Sequence, residues 1–446
     1  MPFVRAHRAL LSFLLLLGPT LAQDQPLAFV GARLEPGDGP AIARGTLLVQ
    51  GGRIVAVGSV DAVAVPANAT RIDATGHTII PGLVCSHSHI GAVAGADGSA
   101  PIQPEVRALD SIDPRDPGLQ KARAGGITSV NIMPGSGHLL SGQTVYLKLR
   151  RADTVEALAY RNADGSIAGG IKMANGTNPQ RAAPFPGTRG KAAALMRAQL
   201  HRARDYQHKL AAAKDAPDKD TAAKDAPERN LGLEALVEVL EQKRVVHFHS
   251  HRQDDILTVL RLREEFGLRV VLHHVSEGWL VADHIKKAGV PCSVIVIDSP
   301  GGKLEAKNLS LTTAAVLDRA GVLVGFHTDD GITDSRLFLR SGALAVRAGM
   351  DRDHALRALT IHNAQMLDLQ DRIGTLTAGK DADFVLLSGD PFSVYTRVLE
   401  TWVEGQRVFD LDDPHDRLLA DGGYGASDGQ AMSMCCFGQS EQEAGQ

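Results

Sequence analysis

Past residue 26 the apolar positions fall into short runs, and their rhythm changes twice along the chain. Residues 45–49 and 53–57 are extended in pattern and flank Gln50-Gly51-Gly52, a hairpin signature. Arg71-Ile72-Asp73 and Thr78-Ile79-Ile80 add more extended chain. From Pro81 onwards short apolar runs alternate with helical stretches, at 82–84, 127–130, 144–147, 167–173, 245–248, 269–272, 292–297 and 322–324. Residues 255–266 have helical spacing and stop at Gly267, a residue suited to the position after a helix. Eight such runs separated by helices predict an α/β fold, a closed (β/α)8 TIM-like barrel. A doubly wound open sheet is the rival, but it gives no reason for polar residues at so many strand ends. Residues 383–387 and 398–409 read as strands again. The simplest arrangement is a small β-sandwich domain built from both chain ends, 23–82 and 366–410, around a barrel over 83–365.

The remaining segments break this rhythm. Arg5, His7 and Arg8 precede an apolar stretch over 9–17 that ends at Gly18-Pro19, so residues 1–22 read as a secretory signal too short to span a bilayer. An exported protein is expected, periplasmic or secreted, with no membrane span once the signal is removed. Residues 212–217 and 222–227 both read Ala-Ala-Lys-Asp-Ala-Pro, which marks 211–230 as a charged surface insertion. The tail, 411–446, is rich in Gly, Ser, Gln and Asp and is expected to be disordered.

Composition narrows the function. Lys+Arg 47 against Asp+Glu 51 leaves a net charge of −4, and aromatic residues are only 4%. Neither a basic footprint nor a set of stacking rings is present for nucleic acid. A small-molecule substrate is the expected partner, and a homo-oligomer is compatible with the sequence. Four cysteines, Cys85, Cys292, Cys435 and Cys436, are too few for a disulfide framework, and Cys85 and Cys292 read as small buried hydrophobes.

Histidine carries the strongest chemical signal. Of 17, His87, His89, His247, His249, His251, His273, His274 and His327 lie beside predicted strand ends. In His87-Ser88-His89 the two rings share one face of a strand and can grip one ion. Taken alone the pair reads equally well as two surface histidines. The other clusters close strands 5, 6 and 8, and in a barrel those ends meet at one rim. Lys172 ends strand 4 in a Gly-rich apolar run, where burial favours a neutral amine. Such an amine can take up CO2 as a carbamate, whose oxygens can bridge two cations. A lysine snorkelling to solvent is the bland alternative, and Lys148 is a weaker candidate for the same role.

These residues resemble those of the amidohydrolase superfamily of metal-dependent hydrolases, nearest its imidazolonepropionase-like members. Pro81-Gly82-Leu83 before His87-Ser88-His89 is similar to the first-strand signature. Thr360-Ile361-His362-Asn363-Ala364, Gly374-Thr375-Leu376 and Ala378-Gly379-Lys380-Asp381-Ala382-Asp383 are similar to the C-terminal signature. The resemblance implies one or two divalent ions, zinc above all. It implies His87 and His89 as ligands of the more buried ion, with His249 and His274 as the ligands from strands 5 and 6. Asp329 would bind metal and shuttle protons, and Lys172 would be the carboxylated bridge. Cys85 stands where the family usually has an aspartate, and the roles of His327 and Asp330 beside Asp329 are open.

The implied reaction is hydrolysis of an amide or cyclic amide C–N bond by metal-activated hydroxide. Asp329 would relay the proton, His274 or His251 would hold the oxyanion, and Arg252 would clamp a substrate carboxylate. A surface ion pair is the other reading of Arg252. A deaminase on the same scaffold, a metallo-dipeptidase and a non-catalytic binding protein are the alternatives. The last of these predicts missing ligands.

Overall fold

The computed structural model describes residues 25–91, 93, 97–215, 226–295 and 304–422. The chain opens with β1 (Leu27–Leu34), β2 (Ile42–Gln50), β3 (Arg53–Ser59), β4 (Thr70–Asp73) and β5 (Thr78–Pro81). The middle holds β6 (Leu83–Ser88), β7 (Ile127–Ile132), β8 (Leu140–Gln143), β9 (Val145–Lys148), β10 (Ile171–Ala174), β11 (Val246–Ser250), β12 (Val270–His274), β13 (Cys292–Ile295) and β14 (Val324–His327). It closes with β15 (Phe384–Leu387), β16 (Val398–Val403) and β17 (Gln406–Asp410).

The terminal strands form one eight-stranded sheet in the order β17-β16-β15-β5-β1-β2-β3, with β4 on β1. β2 and β3 turn on Gly51 and Gly52, whose φ of 57° and 75° favour glycine. The two chain ends meet where β15 pairs antiparallel with β5, Val385 opposite Ile80. Phe29, Phe384 and Trp402 fill the core, the first two rings 4.9 Å apart edge to face. The ladders make this one continuous sheet, where a two-sheet sandwich was expected.

The middle strands form two sheets, β14-β13-β12-β11-β10-β8 and β6-β7-β9. β6 and β7 are parallel, as are β10 to β14. The run at 144–147, expected as a parallel barrel strand, instead runs antiparallel to β7, and β8 runs antiparallel to β10. The link from β7 to β9, 133–144, holds β8 and no helix, so it does not supply the helical crossover that a parallel return requires. Between β14 and β6 the edges are tied without a strand ladder. Asp329 N–H donates to His87 O at 3.1 Å. The Asn363 amide donates to Val84 O at 2.5 Å and Phe326 O at 2.7 Å. The architecture is TIM-barrel-like, but a closed eight-strand ladder is not formed among the described residues. Helix Gln253–Phe266 ends at Gly267 in the left-handed conformation, φ 69°, as the spacing predicts.

Two further expectations meet the structure here. Pro414–Asp421 is a helix, not structureless tail: Asp413 caps its N-terminus and Leu419 packs with Phe409 and Leu411. At the other segment, helix Arg189–Lys214 runs into the expected insertion. Residues 1–22, the insertion centre 216–225 and Cys435-Cys436 lie outside the described residues. No described helix is long and apolar enough to cross a membrane.

Lys148 joins the two regions. Its fully buried ammonium pairs with Asp381, with Asp383 at 3.1 Å and with Glu404 at 3.4 Å. Burial alone would lower its pKa, but the surrounding carboxylates outweigh it and hold the amine charged. This occupies the residue that was the second candidate for a carbamate. Replacing Lys148 by Met leaves buried carboxylates without their central cation, a loss of about 3–5 kcal/mol. A urea midpoint far below that of the parent protein is expected, and an unchanged midpoint would contradict the assignment.

Candidate metal centre

His87 and His89 stand two apart at the end of β6, so the pleat turns both rings to one face. Their Nε2 atoms are 3.1 Å apart. Asp329, just past β14, brings Oδ1 to 3.0 Å from His89 Nε2 and 3.3 Å from His87 Nε2. His89 Nδ1 lies 2.7 Å from Met133 O. A carbonyl only accepts, so Nδ1 carries the proton and Nε2 presents a lone pair to the cluster. Two imidazole nitrogens and a carboxylate converge within 4.8 Å, all buried. That donor set fits a divalent cation.

Across the mouth, β11 alternates His247 and His249 inwards with Phe248 in the hydrophobic core. β12 departs from alternation. His274 has φ 71°, in the left-handed region, and this turns its ring inwards beside that of its neighbour His273. His273 packs 4.9 Å from His87, ring centre to ring centre, and His274 packs 4.3 Å from His249. His249, His251 and His274 form a second group with ligand atoms within 4.8 Å. His274 Nδ1 is 3.9 Å from Asp329 Oδ2, so this ring links the two groups. Among the described residues His274 Nε2 has no hydrogen-bond partner.

The electrostatics favour the ligand form. Burial, reinforced by neighbouring charges, holds His87, His273 and His274 well below the usual imidazole pKa. Burial also brings His247 and His327 down to about 3. These rings are neutral at neutral pH. Burial alone would raise the pKa of Asp329, but its contact with His89 outweighs burial and holds it below the carboxylate range. Asp329 is therefore ionised.

The structure gathers His87, His89, Lys172, His249, His251, His274 and Asp329 at one mouth. Lys172 Nζ lies 3.1 Å from His87 Nε2 and 3.0 Å from Met133 Sδ. Arg252 is not among them: its fork takes Asp254 through two bonds of 3.0 Å. Cys85 lies behind His87, with Sγ 3.2 Å from His87 O and 3.3 Å from Thr328 Oγ1, and burial pushes its thiol up to about 11. Asp330 turns away to Ser335.

Two histidines noted at strand ends but given no role also join the cluster. His327 bonds Ser293 Oγ at 2.7 Å and faces His274 Nδ1 at 3.2 Å. His247 bonds His273 at 3.0 Å and Tyr146 OH at 3.0 Å. Their place at strand ends was the available signal. Met133 O and Asn178 had none, being a backbone carbonyl and an ordinary loop amide.

A profile of the amidohydrolase family matches residues 120–409. Amidohydrolase tasK of Hapsidospora irregularis is 28% identical over 411 residues, covering 84% of this chain and 41% of that protein. The chain thus spans about two fifths of that relative's length. The 5-methylthioadenosine/S-adenosylhomocysteine deaminase of Symbiobacterium thermophilum is 25% identical over 393 residues, covering 82% of this chain and 85% of that one. The crystal structure of an amidohydrolase from Thermotoga maritima MSB8 is 32% identical, with a TM-score of 0.80 over 86% of this chain and 100% of that chain.

The neutral histidines set a pH dependence for metal-free protein. An unfolded imidazole titrates near ~6.5, while His247 and His327 stay unprotonated down to about 3. Below ~6.5 the unfolded chain therefore binds more protons, and stability is lost as the pH falls towards about 3. Urea midpoints of chelator-treated protein are expected to fall steadily from pH 7 to pH 5. A flat or rising midpoint would contradict buried neutral rings.

Proposed function

The chain belongs to the amidohydrolase family, and from that premise we propose that it is a metal-dependent hydrolase of small-molecule C–N bonds. An amide or a cyclic amide is the proposed substrate. The observation that carries the reading is the convergence of His87, His89 and Asp329 within 4.8 Å, all buried. His249 and His274 supply further donors across the mouth. Lys172, 3.1 Å from His87 Nε2, is proposed as the carboxylated bridge. Zinc is the proposed metal, since neutral imidazole and carboxylate suit it. Export through residues 1–22 is part of the same proposal.

When bound, a divalent cation supplies Lewis acidity, making nearby water more acidic and polarising a carbonyl oxygen. The protein's own groups do the rest. Asp329 is ionised and sits at the meeting point of the two histidine groups. It can accept a proton at its carboxylate and return it to the leaving nitrogen. His89 is fixed by Met133 O, so its Nε2 lone pair stays directed at the cluster. The buried, His-lined mouth keeps electrostatic contacts with the substrate strong. Arg252, already paired with Asp254, is given no part in recognition.

A deaminase is the second reading, favoured by the relative from Symbiobacterium thermophilum. That chemistry often needs an acidic proton donor at strand 5. The acids nearest there, Asp254 and Asp255, are paired with Arg252 and Arg189. The hydrolase reading is tested with zinc-loaded protein against small amides, lactams and amino-heterocycles. New carboxylate is expected. Ammonia released from a ring carbon without a carboxylate would favour the deaminase, and no turnover of any of them would count against both.

Asp329→Asn is expected to lower turnover roughly 10²–10⁴-fold with the circular dichroism spectrum unchanged. Retained turnover would remove Asp329 from the mechanism. Lys172→Ala is expected to bind less metal and to lose the carbamate carbon resonance seen with 13C-bicarbonate. Unchanged metal content, or no such resonance in the parent protein, would remove the bridge.

A further inference from the structure

We propose that Arg181 receives a carboxylate of the substrate, so that the amide hydrolysed here is one that carries an acid group. The inference deepens the proposed activity and rests on reading the histidine cluster as the catalytic centre. Arg252, favoured for this task by its position in the sequence, is spent on Asp254. Arg181 has no such partner. It lies on the loop after β10, and among the described residues no carboxylate pairs with it. Burial alone acts on its pKa, lowering it. A guanidinium stays charged nonetheless, so a positive charge is drawn partly out of water with no neighbouring charge to offset it.

The guanidinium is held, yet only partly used. Its Cζ lies 3.8 Å from the centre of the Phe185 ring, and Nη2 donates to Gly137 O. Nε is buried without a hydrogen bond among the described residues, an unfavourable state for a donor. Nη1 makes no hydrogen bond either and, unlike Nε, is not sealed from solvent. Contact with an aromatic ring uses the face of the guanidinium and leaves its in-plane N–H groups for an oxyanion. One ring and one neutral carbonyl thus fix the group without neutralising it. The nearby His138 ring, 5.1 Å from that of Phe185, is itself neutral: burial first, and the Arg181 charge second, bring its pKa down to about 4.

The fold sets this charge beside the histidines. Gly137 lies on the loop after β7, and both loops leave C-terminal strand ends, the side on which the cluster lies. Two links tie the loops together. Asn178 Nδ2 donates to Ser136 Oγ at 2.7 Å and lies 3.2 Å from His249 Nε2. Three residues on, Arg181 reaches Gly137, the neighbour of Ser136. The guanidinium therefore stands one step farther out than an amide that touches the cluster. A small acylated amino acid can span that step, with its amide carbonyl at the histidines and its acid group at Nη1. The forked N–H groups of arginine match the two oxygens of a carboxylate.

The test reads binding and does not need turnover. Zinc-loaded full-length protein is titrated calorimetrically with a panel of N-acetyl amino acids and with their neutral carboxamides. For any member that is hydrolysed, kcat/KM replaces affinity as the readout. The parent is expected to favour the acids about 10–100-fold over the carboxamides. Arg181→Met should treat the two alike, with the zinc content and circular dichroism spectrum of the parent. Arg181→Gln keeps a donor for Gly137 O and carries the test should Arg181→Met not fold. A parent that shows no acid preference, or binds no member of the panel, overturns the proposal. So does full preference in Arg181→Met, or in Arg181→Gln where that is the variant that folds, since a carboxylate held by the metal would keep its advantage there. An acid preference that depends on Arg181, with no member of the panel hydrolysed, would sink the hydrolase reading alone.

Discussion

A crowd of neutral imidazoles buried beside one ionised carboxylate is the constraint on which everything else rests. His87, His274 and His327 are too deeply buried to take a second proton at neutral pH, so each keeps a lone pair. Lone pairs converging in a dry site repel unless something positive lies among them. A divalent cation satisfies several donors at once and needs no change in the rings' protonation. The histidines therefore explain each other only as ligands or as groups that steer ligands.

The fold supplies the convergence. Strands β10 to β14 run parallel, so their C-terminal ends share one side of the sheet, and β6 and β7 bring theirs to the same place. Asn363 holds β6 to β14, which fixes His87 and His89 against Asp329. The left-handed backbone at His274 adds a second inward ring where alternation would allow one. Farther from the mouth, Lys148 ties Asp381 and Asp383 of the terminal sheet to the strand beside β7. The signature residues Asn363, Asp381 and Asp383 thus serve to clamp the scaffold, not to touch substrate.

Much of this was legible in the chain. The strand runs were visible because buried strands read as short apolar stretches, and the histidine clusters because polar residues at strand ends need a reason. The meeting of both chain ends in one β region followed from strand patterns outside the barrel rhythm. Other features were not legible. Whether 144–147 ran parallel depended on the link before it, and apolar pattern carries no direction. The helix Pro414–Asp421 hid in a polar stretch whose composition outweighed its capping Asp413. Arg252 drew notice by its position beside the histidines, yet its partner was two residues away, a local pairing that a motif does not reveal. Met133 O acts through geometry that only the folded chain creates.

X-ray absorption of zinc-loaded protein tests the central claim most directly. The account predicts a first shell of nitrogen and oxygen only, at about 2.0–2.2 Å, with the outer-shell scattering of several imidazole rings. A sulfur shell at about 2.3 Å, or a shell without imidazole scattering, would contradict it.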